Sequence, residues 1–265
     1  LWRIMRHYGI PKKLVNITKL LYTDFKSAVI CGNTLSESFK IETGVKQGCI
    51  LSPFLFIMAV DWLMKTTTKG KRRGIRWTLT SCLEDLDFAD DICLLSSSHK
   101  DIQGKTTDLE KNAQKIGLKI NSKKTKVMRI NNTTQEPIKI KGEVREEVQS
   151  FTYLGSVMTD EGSADQEIKS RISKARHAFA GLKNIWKSKK YSTKTEFRLY
   201  KSNVLSILLY GAESWKMTKT ISHQLEVFQN KSLRRIFNIY WPSKITNEAL
   251  LERAGVATVT SEVRK

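Results

Sequence analysis

Acidic residues are scarce in this chain: 26 Asp and Glu stand against 46 Lys and Arg over 265 residues, a formal net charge of +20. That imbalance implies a polyanionic partner, held through phosphate contacts whose strength falls steeply with salt. The positive charge is spread through amphipathic segments, which excludes a single disordered basic tail as its source. Cysteine is also sparse. Cys31, Cys49, Cys82 and Cys93 show no C-x-x-C pair, so neither a zinc site nor a disulfide framework is expected and a reducing compartment fits. No basic-then-apolar leader opens the chain, and Pro53, Asp61 and Lys65 interrupt its best apolar run, so membrane insertion is not expected. What is present in quantity is apolar: 40% hydrophobic residues suffice for a real core in one or two domains.

Against this basic background, two adjacent acids stand out. Leu86 to Ser96 reads Leu-Asp-Phe-Ala-Asp-Asp-Ile-Cys-Leu-Leu-Ser, with apolar, β-favouring flanks that predict two short buried strands and Asp90-Asp91 at or beside the turn. Neighbouring carboxylates repel and resist desolvation, whereas with Mg²⁺ they become hard oxygen ligands. Two-metal phosphoryl transfer uses such a pair. A solvated turn is the plainer reading of the motif taken alone.

A second element lies upstream: Gly44-Val45-Lys46-Gln47-Gly48-Cys49-Ile50-Leu51-Ser52-Pro53-Phe54. Gly44 and Gly48 allow backbone shapes that a side chain would block. Ser52 reads as the N-cap and Pro53 as the first residue of an apolar helix running to Met64. Such a loop can present amides, an amide side chain and a cation to a nucleotide or template strand; an ordinary loop-to-helix joint is the alternative.

These two motifs, in this order and spacing, resemble the reverse transcriptase of a non-LTR, LINE-type and RTE-like retrotransposon. Phe88-Ala89-Asp90-Asp91 resembles the family's Tyr/Phe-Ala-Asp-Asp box, and Lys46-Gln47-Gly48-Cys49 with Leu51-Ser52-Pro53 resembles its Arg-Gln-Gly-Cys-x-Leu-Ser-Pro box, Lys46 replacing the usual Arg. Asn121-Ser122-Lys123-Lys124-Thr125 resembles an Asn-x-x-Lys-Thr segment, and Tyr153-Leu154-Gly155 the turn of the primer grip. The resemblance implies an RNA-directed DNA polymerase using Mg²⁺ (or Mn²⁺), dNTPs, an RNA template and a DNA primer. Its location would be the nucleus and cytoplasm, and an endonuclease domain would be possible in the full-length protein. It implies catalytic and metal-binding roles for Asp90 and Asp91, and a role for Lys124 at the departing pyrophosphate. Lys46, Gln47, Gly48, Ser52 and Pro53 would bind nucleotide and template, and Tyr153, Leu154 and Gly155 would hold the primer end. The family's first metal-binding aspartate, on a strand before the helix that begins near Leu1, has no counterpart here. Asp24 falls in a polar turn and Asp61 in the apolar helix. The sequence therefore reads as a fragment with half a metal site, inactive by itself; a non-catalytic RNA- or DNA-binding module derived from such an enzyme is the alternative.

Periodicity supplies the organisation. Helix is expected over 1–22 with a break at Gly9-Ile10-Pro11, a hairpin over 25–42, a basic turn at 69–74 that is either solvated or phosphate-binding, a polar helix over 101–116, and strands at 126–130, 138–140 and 148–153 completing a sheet. Helices over 164–187, 193–209 and 220–239 follow. On the first of these, the cations Lys169, Arg171, Lys174, Arg176, Lys183 and Lys187 are candidates for tracking a nucleic-acid backbone. Tyr210 to Trp215 reads as a connector. The class is α+β: a partial right-hand polymerase palm, an antiparallel sheet with helices (1–157), then an all-helical thumb (158–218) and a helical C-terminal extension (219–265) read as truncated.

Overall fold

A computed structural model describes residues 1–131, 136–188 and 190–263. The chain packs as two compact units, the described residues of Leu1–Val127 with Thr133–Glu147, and those of Met128–Asn132 with Val148–Lys265. Arg264 and Lys265, the basic residues on which the sequence stops, lie outside the described residues.

The first unit opens with α1 (Trp2–His7) and α2 (Lys12–Tyr22). Their break falls at Gly9, whose φ of 77° needs glycine's freedom, and at Pro11, which supplies no N–H to continue a helix. Strands β1 (Lys26–Ser27), β2 (Ile30–Cys31), β3 (Thr34–Leu35) and β4 (Phe39–Lys40) form the expected hairpin, β2 against β3 around Gly32-Asn33 and β1 against β4. Helix α3 (Leu51–Thr68) is central. It buries Leu55 and Met58 with Ile4, Met5 and Val15, and Val60, Leu63 and Met64 with Leu109 and Ala113 of α4 (His99–Lys115). An element apolar on several faces can serve two such clusters. The Tyr8 hydroxyl donates to Asp61 of α3, and burial together with that carboxylate raises the phenol to about 12. Ser98 caps α4, its hydroxyl accepting from the Asp101 amide at 3.1 Å, as Ser at an N-cap does.

Between α3 and α4 run β5 (Ile75–Arg76), β6 (Cys82–Leu83), β7 (Asp85–Phe88) and β8 (Asp91–Leu94); after α4 come β9 (Lys126–Val127), β10 (Lys139–Ile140), β11 (Glu143–Val144) and β12 (Glu146–Glu147). The basic turn at 69–74 docks on α4: Lys71 and Arg73 both reach Asp108 at 2.8 Å, and these cations hold its carboxyl below the usual carboxylate range.

The single sheet expected from the sequence does not form. Among the described residues the strands make seven separate two-stranded ladders, and β9 pairs with β12 in parallel. Most of these strands are two residues long, too short to offer a neighbour an edge worth pairing. What stands is a mixed architecture of helices and small ladders.

In the second unit β13 (Ser150–Tyr153) and β14 (Ser156–Thr159) form a hairpin, followed by α5 (Asp165–Gly181), α6 (Lys183–Trp186), α7 (Thr193–Tyr200), a π-helical stretch Lys201–Leu205, α8 (Ser206–Leu208), a 3₁₀ turn Ala212–Ser214, α9 (Lys219–Ile236), α10 (Asn247–Ala254) and α11 (Val259–Val263). The helix expected over 164–187 thus stops and restarts at Leu182, and that expected over 193–209 contains a π turn. One core binds these helices together through Ile168, Ala175, Val204, Leu208, Leu225, Leu233 and Leu250, among others. No helix of the described residues is long and apolar enough to cross a membrane.

One glycine is fixed by contact rather than by φ. A Cβ on Gly74 would lie 2.1 Å from the Leu83 carbonyl oxygen, and backbone cannot swing aside as a flexible side chain can. Gly74→Ala is expected to cost about 1–3 kcal/mol, measured as a lower urea midpoint; an unchanged midpoint would contradict the close approach.

Candidate active site

The Asp-Asp motif folds as a two-residue hairpin. Phe88 pairs with Asp91 and Asp85 with Leu94, leaving Ala89 and Asp90 as the turn, with Ala89 at φ 55°, a conformation uncommon for a residue with a side chain. Asp90 and Asp91 are both exposed. The strands are less buried than their composition suggests: Ile92 and Leu94 pack beside the Val60–Leu109 cluster, whereas Leu86 and Phe88 stand open, Phe88 at 64% exposure. Strand alternation explains this. Leu86, Phe88, Asp91 and Cys93 share one face, and Asp85, Asp87, Ile92 and Leu94 the other. Asp85 and Asp87 therefore cannot join Asp91 in binding one ion, although acid count alone would enlist them.

Beneath the hairpin lies a residue that the sequence analysis did not single out. Lys105 of α4 is fully buried. Its ammonium donates to the carbonyls of Glu84 at 2.7 Å and Leu95 at 2.6 Å, and lies 2.6 Å from the Glu84 carboxylate. Since the Leu95 amide also donates to the Glu84 carbonyl, one cation ties together the open ends of both strands. Burial would raise the Glu84 carboxyl, but Lys105 and the Arg73 and Gly74 amides outweigh it and hold the group below its ordinary value. A lysine at this position within a polar helix carries no sequence signal of burial.

The glycine-bounded loop takes positive φ at Gly44 (89°) and Gly48 (81°). Lys46 is half-buried with its ammonium 4.1 Å from the centre of the Phe25 ring and 5.5 Å from that of Tyr22; Gln47 and Gly48 are exposed. Ser52 does not cap the helix as expected. Helix α3 begins at Leu51 with Ile50 as N-cap, and Ser52 is buried with its hydroxyl 3.2 Å from that of Tyr22. Pro53 sits exposed in the first turn, where a missing N–H costs nothing. The amide of Leu51 holds the Cys49 thiol below its usual value, with Ser52 and Lys46 acting in the same sense against burial. At Cys93 burial acts alone with Asp85 and pushes the thiol up.

Lys124 is exposed at a turn organised by Asn121, whose side-chain oxygen accepts from the amides of Lys123 at 3.2 Å and Lys124 at 3.3 Å. The buried Arg145 clamps the same turn through the Ser122 carbonyl at 2.8 Å. In the second unit, Leu154 (φ 50°) and Gly155 (φ 83°) form the turn of the β13–β14 hairpin, the left-handed pair that two-residue hairpins favour. Arg171, expected on a nucleic-acid-facing surface, is instead buried at 6% exposure. It donates to the Gly155 carbonyl at 2.6 Å and to Glu167 at 2.5 Å, and stacks on Tyr210 at 4.4 Å. Tyr210 in turn donates to the Leu154 carbonyl at 2.9 Å, and Glu167 accepts from the Val157 amide at 2.6 Å. Arg171 thus fastens the Tyr153-Leu154-Gly155 turn; its i,i+4 spacing from Glu167 signals the ion pair but not the bond to the turn. Lys169, Lys174, Arg176, Lys183 and Lys187 remain exposed.

An exposed carboxylate pair on an anchored hairpin and a glycine-bounded loop carrying Lys46 at a helix start stand together in the first unit of a strongly basic chain. The family description "Reverse transcriptase (RNA-dependent DNA polymerase)" matches residues 1–158, a span holding all four motifs, and the chain belongs to that family. A domain of unknown function matches residues 178–210. An uncharacterized transposon-derived protein of Caenorhabditis elegans is 31% identical over 163 residues, 59% of this chain and 57% of its own length. The retrovirus-related Pol polyprotein from type-1 retrotransposable element R2 of Popillia japonica is 25% identical over 251 residues, 89% of this chain and 39% of its own length. That from type-2 element R2DM of Drosophila melanogaster is 30% identical over 155 residues, 57% of this chain and 14% of its own length. The chain spans less than two thirds of each.

Two measurements test this geometry. Lys105→Met takes the cation from a half-buried carboxylate and a donor from the Leu95 carbonyl and is expected to cost about 1–3 kcal/mol, with faster hydrogen exchange at the Leu95 amide; pairing it with Glu84→Leu should recover much of the loss. Unchanged exchange would remove the ammonium from this role. Near pH 7 iodoacetamide should modify Cys49 well before Cys93, because the thiolate reacts and is favoured at one site and disfavoured at the other; equal rates would contradict that ordering.

Proposed function

We propose that this chain is the palm and thumb part of the reverse transcriptase of a non-LTR retrotransposon, an enzyme that adds deoxynucleotides to a primer 3′ hydroxyl on an RNA template. The observation that carries this reading is the exposed Asp90-Asp91 pair at the tip of a braced hairpin, inside the span that matches the family. The similarity to the R2 Pol polyproteins supports the retrotransposon origin. Gln47 and Gly48, exposed on their loop, would face template and nucleotide, with Lys46, Ser52 and Pro53 shaping that loop. Lys124 would neutralise the departing pyrophosphate, a task that suits a mobile ammonium. The Tyr153-Leu154-Gly155 turn would hold the primer terminus. Residues 1–157 would act as palm, 158–218 as thumb and 219–265 as a helical extension, acting in the nucleus and cytoplasm.

The family uses divalent metals. Asp90 and Asp91 are chemically suited to Mg²⁺ or Mn²⁺, being hard oxygen donors open to solvent. Such an ion, when bound, stabilises charge on the attacking and leaving oxygens. Two side chains are an incomplete set, and among the described residues no group of three or more His, Cys, Asp or Glu is placed to hold a metal. That count favours one second reading, a nucleic-acid-binding module without chemistry of its own.

Primer extension and RNA affinity separate the two. These 265 residues alone should show no templated extension, while Asp90→Asn should leave RNA affinity unchanged or slightly higher, because it removes a negative charge near phosphate. In the whole protein the same substitution should abolish extension; a whole protein that binds RNA and never extends a primer would establish the second reading, and extension by the isolated chain would refute the half-site.

A further inference from the structure

The second unit holds a cleft of about 960 Å³ that none of the roles above uses. One wall is α7 with the start of the π-helical stretch; the other is the C-terminal end of α10. Along the first wall Lys194, Arg198 and Lys201 recur at i, i+4 and i+7 and so share a helix face, while Glu196, Tyr200 and Val204 are buried. Thr195 and Ser202 add hydroxyls to the lining. The π turn begins at Lys201, a feature often found at functional sites within α-helices.

The second wall contributes Arg253. Its guanidinium lies 4.5 Å from the centre of the Phe237 ring, and Phe237 packs on Phe197 with ring centres 5.2 Å apart. The cation is therefore supported by an aromatic face that leaves its charge uncancelled. Among the described lining residues Glu252 is the one acid against four cations, and Phe197 and Ala254 supply apolar surface.

We propose that this cleft binds single-stranded RNA. Cations on two facing walls suit a phosphodiester chain, and apolar and aromatic lining suits bases that are unstacked and turned aside from it. A duplex would present phosphates on a convex surface and no base face to Phe197. RNA, rather than DNA, rests on the reverse transcriptase reading. The first wall falls within residues 178–210, so the proposal also assigns a role to the domain of unknown function matched there.

Fluorescence anisotropy with a labelled, unstructured RNA 12-mer, run as a salt titration on the intact chain, tests it. Lys194→Gln, Arg198→Gln and Lys201→Gln combined should weaken binding roughly ten- to a hundredfold at 0.1 M salt and make the slope of log K against log salt shallower by about 2, since each single-strand phosphate contact contributes about 0.7. Glu252→Gln should tighten binding, which guards against a triple variant that merely misfolds. An unchanged slope in the triple variant, or an equal loss for double-stranded DNA, overturns the proposal while leaving the polymerase reading intact. Failure of the unaltered chain to bind RNA at all would count against both.

Discussion

The Lys105 ammonium is the interaction on which the candidate site depends. A two-stranded hairpin is marginal in water unless something braces it, and among the described residues β7 and β8 pair only with each other. The brace has two parts: Ile92 and Leu94 pack beside the α3–α4 cluster, and Lys105 grips the carbonyls at the base of both strands. A buried ammonium is costly unless its donors are satisfied and its charge is matched. Two carbonyls and the Glu84 carboxylate meet both conditions, and Glu84 is further held by the Arg73 amide at 2.9 Å. Arg73 reaches Asp108 on α4 as well, so turn, hairpin and helix are tied together at the end of the hairpin opposite its carboxylates.

The second unit repeats the device with different residues. There the exposed turn is Leu154-Gly155, and the buried pair beneath it is Arg171 with Glu167, at 6% and 4% exposure. In both places a hairpin whose turn has left-handed backbone is held by a buried cation that donates to main-chain carbonyls, at the strand ends opposite the turn for Lys105 and at the turn itself for Arg171. This use of charge bears on composition. Acids are few, and many of those present are committed: Glu84 to Lys105, Asp108 to Lys71 and Arg73, Glu167 to Arg171, Asp61 to Lys65. Asp90 and Asp91 stand apart as exposed neighbours at a hairpin tip, and this separates a candidate metal ligand from a structural carboxylate more clearly than acidity does.

How much of this was legible in the sequence depended on whether the signal was local. Gly9 and Pro11 broke the first helix where they stand, and the Asp-Asp motif formed its hairpin between the strands its flanks suggested, because each of these is decided by backbone chemistry within a few residues. The Ser52-Pro53 cap misled because Pro is acceptable anywhere in the first turn, and burial against Tyr22 claimed the serine instead. The expected sheet failed for want of strand length. Lys105 and Arg171 were illegible in another way: a cation on an amphipathic helix looks the same whether it faces solvent or a distant carbonyl, and the carbonyls concerned lie 10 to 21 residues away along the chain.

Register then constrains the chemistry in a way that composition cannot. Four aspartates crowd this hairpin, yet pairing of Phe88 with Asp91 and of Asp87 with Ile92 puts them on different faces. Burial raises the Asp85 carboxyl, with Asp87 adding to the effect, as expected of an acid beside an apolar cluster and a like charge. Any ligand that completes an ion at Asp91 must therefore approach from the face carrying Leu86 and Phe88. That face is the open one, at 42% and 64% exposure. Apolar side chains exposed beside a carboxylate mark a surface suited to contact with another element, and an ion of the kind proposed for Asp90 and Asp91 would draw its further oxygen donors from that side.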